Sequence, residues 1–337
     1  MFQRYDYGMR ELESLAIIVP TFNRLEFLVE TVDSLLNQSY ENLEIFIVND
    51  GSTDKTTDYF KDLVKQDSRV RVFSSEENLG ESSAINLAWP SVRSRYVAIV
   101  NSDDPQIQNW AGLMMQATRT NQGFGFYYPN RIVIDQKGSH LRYEELYKWS
   151  FRTLYRKLIP IASAGMIIDR MQFPSNFVLR DETLRHPTDL FLVLRMAEHT
   201  SGFLVSEAVG TWREHKGNTS RNGFEFATSF EKNVSTWLDE NLELISEFSS
   251  PGLSYSYIYL QYLNFLSDTC SIPKRFLTLF KETSFLRKLR IYPAMIFWLC
   301  YIIIGKSLKY PVSQCLKYRK LPINWINIKG KIKKLEA

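Results

Sequence analysis

The fold is constrained most by an apolar run that leaves no side for water. Residues 15–19 read Leu-Ala-Ile-Ile-Val and stop at Pro20, and residues 43–48 repeat the signal. A strand buried on both sides of its pleat belongs to a sheet covered on both faces, the usual condition of a parallel sheet between helices. Between the two runs, Leu25, Leu28, Val32, Leu35 and Leu36 share one face of a helix expected over 25–38. The turn Asn49-Asp50-Gly51-Ser52 leads to a helix starting near Thr53 and Asp54, and strands are expected at 70–73 and 96–100 with a helix over 82–89 between them. Strands alternating with helices require crossover connections, so the fold class is α/β with a mostly parallel central sheet and flanking helices.

Beyond Asp104 the pattern loosens into helices over 107–120 and 186–198, apolar stretches at 124–128 and 131–134, a strand at 203–205 and a polar helical region over 222–248. After Pro251 the composition turns aromatic and basic, which predicts a catalytic-size domain of 1–250 and a helical extension of 251–337. Of 41 Lys and Arg and 37 Asp and Glu, the extension holds 15 and three, leaving 26 and 34 in the first 250 residues. An acidic body with a basic tail suits a tail that touches a polyanion.

With 45% hydrophobic and 23% charged residues among 337, the chain can bury a core, and disorder is not its default state. Cys270, Cys300 and Cys315 are odd in number and not spaced as zinc ligands, so a reducing compartment is expected. Residues 1–13 hold no apolar stretch of the secretory kind. A cytoplasmic protein is the expectation, and the sequons at Asn37, Asn218 and Asn233 then read as accidental.

Ligands of an open parallel sheet bind beyond the C-terminal ends of its strands. The loops expected there are Pro20-Thr21-Phe22-Asn23-Arg24, Asn49-Asp50-Gly51-Ser52, Glu77-Asn78-Leu79-Gly80 and Asn101-Ser102-Asp103-Asp104. All four are small and polar, and their convergence is harder to explain as solvated turns than any one of them. Two nucleotide motifs are missing. No Gly-x-Gly-x-x-Gly follows the first strand, Gly123-Phe124-Gly125 lacks the third glycine, and Gly305-Lys306-Ser307 has Cys300 where a phosphate loop needs its upstream glycine.

In order and spacing these four loops, with Ala84 and Asn86 after the third, resemble the family 2 inverting glycosyltransferases of the GT-A fold, a Rossmann-like architecture; the likeness covers about residues 14–220. The resemblance implies a nucleotide-sugar donor. Asp50 matches the carboxylate that accepts hydrogen bonds from the base, which suits uracil or thymine and so a UDP- or dTDP-sugar. Pro20, Thr21, Phe22 and Arg24 match the loop over base and ribose, with Gly80 on the same rim. Capping of a helix by Asp50 and Ser52 is the plainer alternative and is compatible with binding. Asn101-Ser102-Asp103-Asp104 corresponds to the Asp-x-Asp element. Asp103 is then the ligand of Mn2+ or Mg2+ on the diphosphate, Asp104 supports it, and Asn101, in place of the usual Asp, faces the ribose.

The segment from His186 through Thr188 and Asp189 to Arg195 resembles the family's Glu-Asp element, which makes Asp189 the general base; Thr188 stands where Glu is usual. The alternative for Asp189 is a helix-start carboxylate favoured by the dipole. Trp212-Arg213-Glu214-His215 resembles the late Arg-x-His element, with Arg213 on phosphate and His215 on metal or diphosphate. The resemblance implies inversion: Asp189 takes the proton of an acceptor hydroxyl that attacks the anomeric carbon opposite the nucleotide.

The segment 291–305 is apolar, holds Trp298 and Tyr301, and is bordered by Arg287, Lys288, Arg290, Lys306 and Lys309. Its fifteen residues fall short of the ~20 that span a bilayer. A helix lying in the membrane surface is one expectation, and packing on the catalytic domain or in a homodimer is the other. Nucleic acid is the poorer partner for basic residues set among bulky aliphatics. A peripheral position at the inner face of the plasma membrane would suit a glycan or lipid-linked acceptor in polysaccharide assembly. Two other classes compete with a transferase. A catalytically silent sugar-nucleotide binder or scaffold is suggested by Asn101 and Thr188; a nucleotidyltransferase would need a glycine-rich basic loop that Pro20 to Arg24 does not supply.

Overall fold

The computed structural model describes residues 13–158, 164–184, 186–218 and 223–248, together with Ser254 and Ile258. In chain order the elements are β1 Leu15–Thr21, α1 Leu25–Leu36, β2 Leu43–Asp50, α2 Thr56–Gln66, β3 Val70–Ser75, α3 Glu81–Ala88, β4 Tyr96–Ile99 and α4 Trp110–Thr120. They are followed by β5 Phe126–Ile134, β6 His140–Glu144, α5 Phe151–Lys157, β7 Ile167–Asp169, α6 Thr188–Ala197, β8 Gly202–Arg213, α7 Gly223–Glu240 and α8 Leu242–Phe248.

One eight-stranded sheet runs in the order β3-β2-β1-β4-β7-β5-β6, with β8 paired to β5. The first four strands are mutually parallel, as the apolar runs require. β7 is antiparallel to both β4 and β5, and β8 runs parallel to β5. Two reversals restore direction, so β5 and β8 point the same way as β1, β2 and β4. The C-terminal ends of these strands therefore share one rim, and this topology brings residue 213 to residues 103 and 104.

β1, β2 and β4 are buried on both faces, and their alternate residues feed two cores. Leu15, Ile17 and Val19 pack with Leu28 and Val32 of α1 and Trp110 of α4. Ala16 and Ile18 pack on the opposite side with Ile85 of α3, Val193 of α6 and Phe230 of α7. The molecule is thus a helix–sheet–helix sandwich whose helices cover both faces. Ile258 is fully buried in the second core and Ser254 donates to the Tyr155 carbonyl at 2.8 Å, so described residues beyond position 250 pack on this body. The expected surface helix over 291–305 and its flanking basic residues lie outside the described residues. Among the described residues no helix is long and apolar enough to cross a membrane.

Candidate active site

The rim is assembled by polar side chains that tie one loop to the next. Asn23, with φ 51°, sits just past β1, and its Oδ1 accepts from the backbone N–H of Thr53 at 2.8 Å, while Ser52 Oγ accepts from the Asn23 N–H at 3.0 Å. Asp50 ends β2 and is buried. Its carboxylate accepts from the backbone N–H groups of Leu79 at 2.8 Å and Gly80 at 2.9 Å and from Ser75 Oγ at 3.2 Å. Asp50 therefore organises the third loop before any ligand is considered, a role that sequence reasoning did not assign. Thr21 is buried with its hydroxyl lacking a partner, whereas Phe22 stands exposed at 39%.

Asp103 is the centre of the next group. Its Oδ2 accepts from Arg24 Nη1 at 2.7 Å and lies 2.7 Å from His215 Nε2. His215 Nδ1 accepts from the Gly217 N–H at 3.0 Å, so the ring's proton sits on Nε2 and is donated to Asp103. Arg24 also donates to the Gly217 carbonyl at 2.8 Å, which closes the circle. Asp103 and His215, 112 residues apart in sequence, are thus brought together. A cation held by these two would take the rest of its shell from diphosphate and water, the habit of magnesium-type sites, so the donor set fits. Among the described residues no group of three or more His, Cys, Asp or Glu could enclose an ion by itself.

Asp104 is buried beside Asp103 and accepts from the Arg213 N–H at 2.8 Å and from Asn101 Nδ2 at 3.1 Å. Burial, reinforced by the neighbouring Asp103 charge, pushes its carboxyl well above the ordinary range. Arg213 is fully buried. Its Nε donates to the Asp103 carbonyl at 2.8 Å, Nη1 to the carbonyls of Asp135 and Gln136, and Nη2 to Glu30 at 2.6 Å. Arg213 braces the Asp103 loop from beneath, with its guanidinium engaged by protein oxygens. Ser102 is held similarly: it is buried and its carbonyl accepts from Thr31 Oγ1 at 3.0 Å.

Asp189 starts α6 and opens onto a cavity of about 60 Å3 whose wall also includes Asn101, Asp104, Gln106, Arg180 and Trp212. The β4 loop and the α6 carboxylate thus share one cavity. One charged group of its wall, Arg180, and a carboxylate paired with that group, Glu81, were not anticipated. Arg180 is buried and its Nη2 donates to Asp189 at 2.6 Å, with Glu81 Oε1 3.5 Å away. Burial pushes the Glu81 carboxyl upward, Asp189 and Asp103 add to the rise, and Arg180 and Arg24 oppose it. Burial would lower the Arg180 guanidinium, but Asp189 and Glu81 outweigh it and raise it. The sequence marked Glu81 only by its place after Gly80, and Arg180 carried no signal at all.

A Rossmann-like sheet with this rim is the GT-A architecture of glycosyltransferases. Residues 1–349 of TarS from S. aureus, solved in complex with UDP, superpose with a TM-score of 0.56 at 15% identity, over 78% of this chain and 77% of that fragment. A mannosyltransferase from Pyrobaculum calidifontis, solved with GDP-Man and Mn2+, gives 0.55 at 14% over 88% and 81%. The model of glycosyl transferase family 2 matches residues 16–182. An uncharacterized glycosyltransferase of Haemophilus influenzae is 34% identical over 222 residues, which are 63% of this chain and 84% of the relative. The chain belongs to glycosyl transferase family 2. Against other relatives the aligned segment spans only 29%, 32% and 40% of their length.

Proposed function

We propose that this glycosyltransferase moves a sugar from a nucleotide diphosphate, with a UDP- or dTDP-sugar favoured, to a hydroxyl of a glycan or lipid-linked glycan, inverting the anomeric centre. The observation that carries the reading is the cavity shared by Asn101 and Asp104 of the β4 loop and Asp189 of α6. As a carboxylate on the wall of that cavity, Asp189 would take the proton of the acceptor hydroxyl. Asp103 and His215 would hold Mn2+ or Mg2+, which would offset the charge gathering on the departing diphosphate. Arg24 adds positive charge beside Asp103, and the preset loop of Asp50, Leu79 and Gly80 forms the base-side rim, with Thr21 and Phe22 adjoining it. Arg213 keeps the Asp103 loop in place from below. Neighbours solved with UDP and with GDP-Man support a nucleotide-sugar donor. The basic extension, 251–337, is the part we assign to contact with a membrane surface that carries the acceptor, at the inner face of the plasma membrane.

The test is Asp189→Asn in the full chain. Transfer from radiolabelled UDP-sugars should fall at least ~1000-fold while UDP affinity stays within about twofold, the signature of an interaction made only in the transition state. Turnover close to that of the unmodified protein would remove Asp189 from the role. A second reading, a silent sugar-nucleotide binder, draws on one observation: each key carboxylate is already paired, Asp103 with Arg24 and Asp189 with Arg180. Binding of a donor without hydrolysis or transfer, with Mn2+ supplied, would favour it.

A further inference from the structure

Arg180 has more hydrogen-bonding capacity than the protein uses. Its side chain is 2% exposed, and among the described residues Nη2 alone is engaged while Nε and Nη1 are buried with no acceptor. A buried donor left unmatched is costly, more so on a charged group, so such a residue is expected where something else supplies the acceptor. The residue is also deliberately held. Its backbone N–H donates to Asn86 Oδ1 at 3.2 Å and its carbonyl accepts from Asn86 Nδ2 at 2.9 Å, a two-bond bracket from α3. Asn86 Nδ2 and Ser83 Oγ further grip Glu182 at 2.8 and 3.0 Å. The same helix therefore fixes the segment that carries Arg180 and presents Glu81 to its guanidinium.

The cavity wall states what kind of group would fit. Asp189 is an acceptor, Arg180 a donor, and the amides of Asn101 and Gln106 supply both, with the apolar surfaces of Met166, Leu192 and Trp212 between them. An anion would meet the Asp189 carboxylate. A ring bearing several hydroxyls both donates and accepts and offers an apolar face to an indole, so it matches the whole wall.

We propose that Arg180 is a specificity-determining residue that contacts the sugar of the donor, with Nε–H and Nη1–H donating to its oxygens. The inference rests on the donor reading above and adds to it a residue that separates sugar from nucleotide. Nη2 lies between two carboxylates, so Arg180 keeps Glu81 as a partner when Asp189 turns to an acceptor hydroxyl.

The experiment compares each nucleotide with its sugar derivative, UDP with UDP-N-acetylglucosamine and GDP with GDP-mannose, by calorimetry with Mn2+ on the full chain and on Arg180→Lys and Arg180→Met. For the pair that the unmodified protein binds, affinity for the sugar nucleotide should fall about 10- to 100-fold in both variants, the range of two lost charge-assisted bonds. Affinity for the bare diphosphate should stay within about twofold. Arg180→Lys preserves the charge beside Asp189 and serves as the variant least disturbing to the fold. Equal losses for diphosphate and sugar nucleotide would make Arg180 merely structural, and an unchanged ratio in both variants would remove it from the sugar; either result overturns the proposal. If the unmodified protein bound neither pair, nor dTDP with dTDP-glucose measured beside them, the donor reading itself would fall and take this inference with it.

Discussion

At the scale of single residues, Asp103 has the most demands on it. One oxygen, Oδ2, meets both Arg24 and His215, and the side chain is only 5% exposed. For His215 to offer Nε2 to a cation, the proton now given to Asp103 must leave and the Gly217 N–H must surrender Nδ1. Asp103→Asn preserves shape and acceptor geometry but removes the charge that a cation and Arg24 both need. Activity in a Mn2+ titration should drop at least ~100-fold and fail to saturate if, as proposed, Asp103 is the carboxylate that holds the ion. A variant with undiminished, saturable Mn2+ dependence would show that the ion is held elsewhere. Arg213 supplies the complementary lesson. Its motif identified a functional place, but its Nε, Nη1 and Nη2 donate to the Asp103 loop, the 135–136 turn and Glu30.

At the scale of elements, the β2–α2 turn shows why the rim loops are short and polar. Gly51 adopts φ +69°, and a Cβ built there would lie 2.5 Å from the Glu77 carbonyl carbon. That close approach is what lets Asp50 reach the Leu79 and Gly80 N–H groups. Gly51→Ala should therefore cost about 2–3 kcal/mol in denaturant unfolding, from strain at positive φ plus a backbone collision, and weaken UDP binding together with it. Unimpaired stability would show that the third loop can move aside freely. The same turn marks how far the sequence is informative. Strands apolar on every residue and four polar loops at their ends were legible, because burial on both faces leaves a pattern in neighbouring residues. Helix starts were less so: α2 begins at Thr56, after the Asn23 and Ser52 bonds have shaped the turn, and α6 at Thr188. The stretches at 124–128 and 131–134 join into β5, which runs through Pro129 opposite an irregularity in its pairing with β8. β7 has only three residues and α5 seven, too few for any periodicity. Arg180 reads as a solvated charge because the α3 residues that hold its segment, Asn86 and Glu81, lie almost 100 residues earlier in the chain.

At the scale of the whole molecule, the second half of the sheet is tied to the cavity through one buried carboxylate. Glu144 ends β6 with its side chain 3% exposed; Arg131 Nε of β5 and Arg142 Nε each donate to it at 2.8 Å. Arg142 also pairs with Glu214 just beyond β8, and both arginines lie over the Trp212 ring, 4.9 and 5.9 Å from its centre. Trp212 is the aromatic wall of the cavity, so this ion cluster connects sheet integrity to the site. Burial alone would raise the Glu144 carboxyl, but Arg131 and then Arg142 outweigh it and hold it below its ordinary value of 4.5. A carboxyl lowered by folding contributes stability that is complete above its unfolded value and is lost as pH falls through the lowered one. Asp104, raised by burial, works in the opposite sense, favouring the fold while protonated and less so as pH rises. Comparing the unmodified chain with Glu144→Gln cancels the Asp104 contribution. At pH 7.5 the variant should be less stable by about 2 kcal/mol, below the full cost of breaking a buried pair because both arginines are partly solvated. The gap in urea midpoints should hold from pH 7.5 down to about 4.5 and close only as the pH falls further, since the unmodified chain then loses what the variant never had. A gap that stayed constant with pH would assign the loss to packing around the amide and not to the ion cluster.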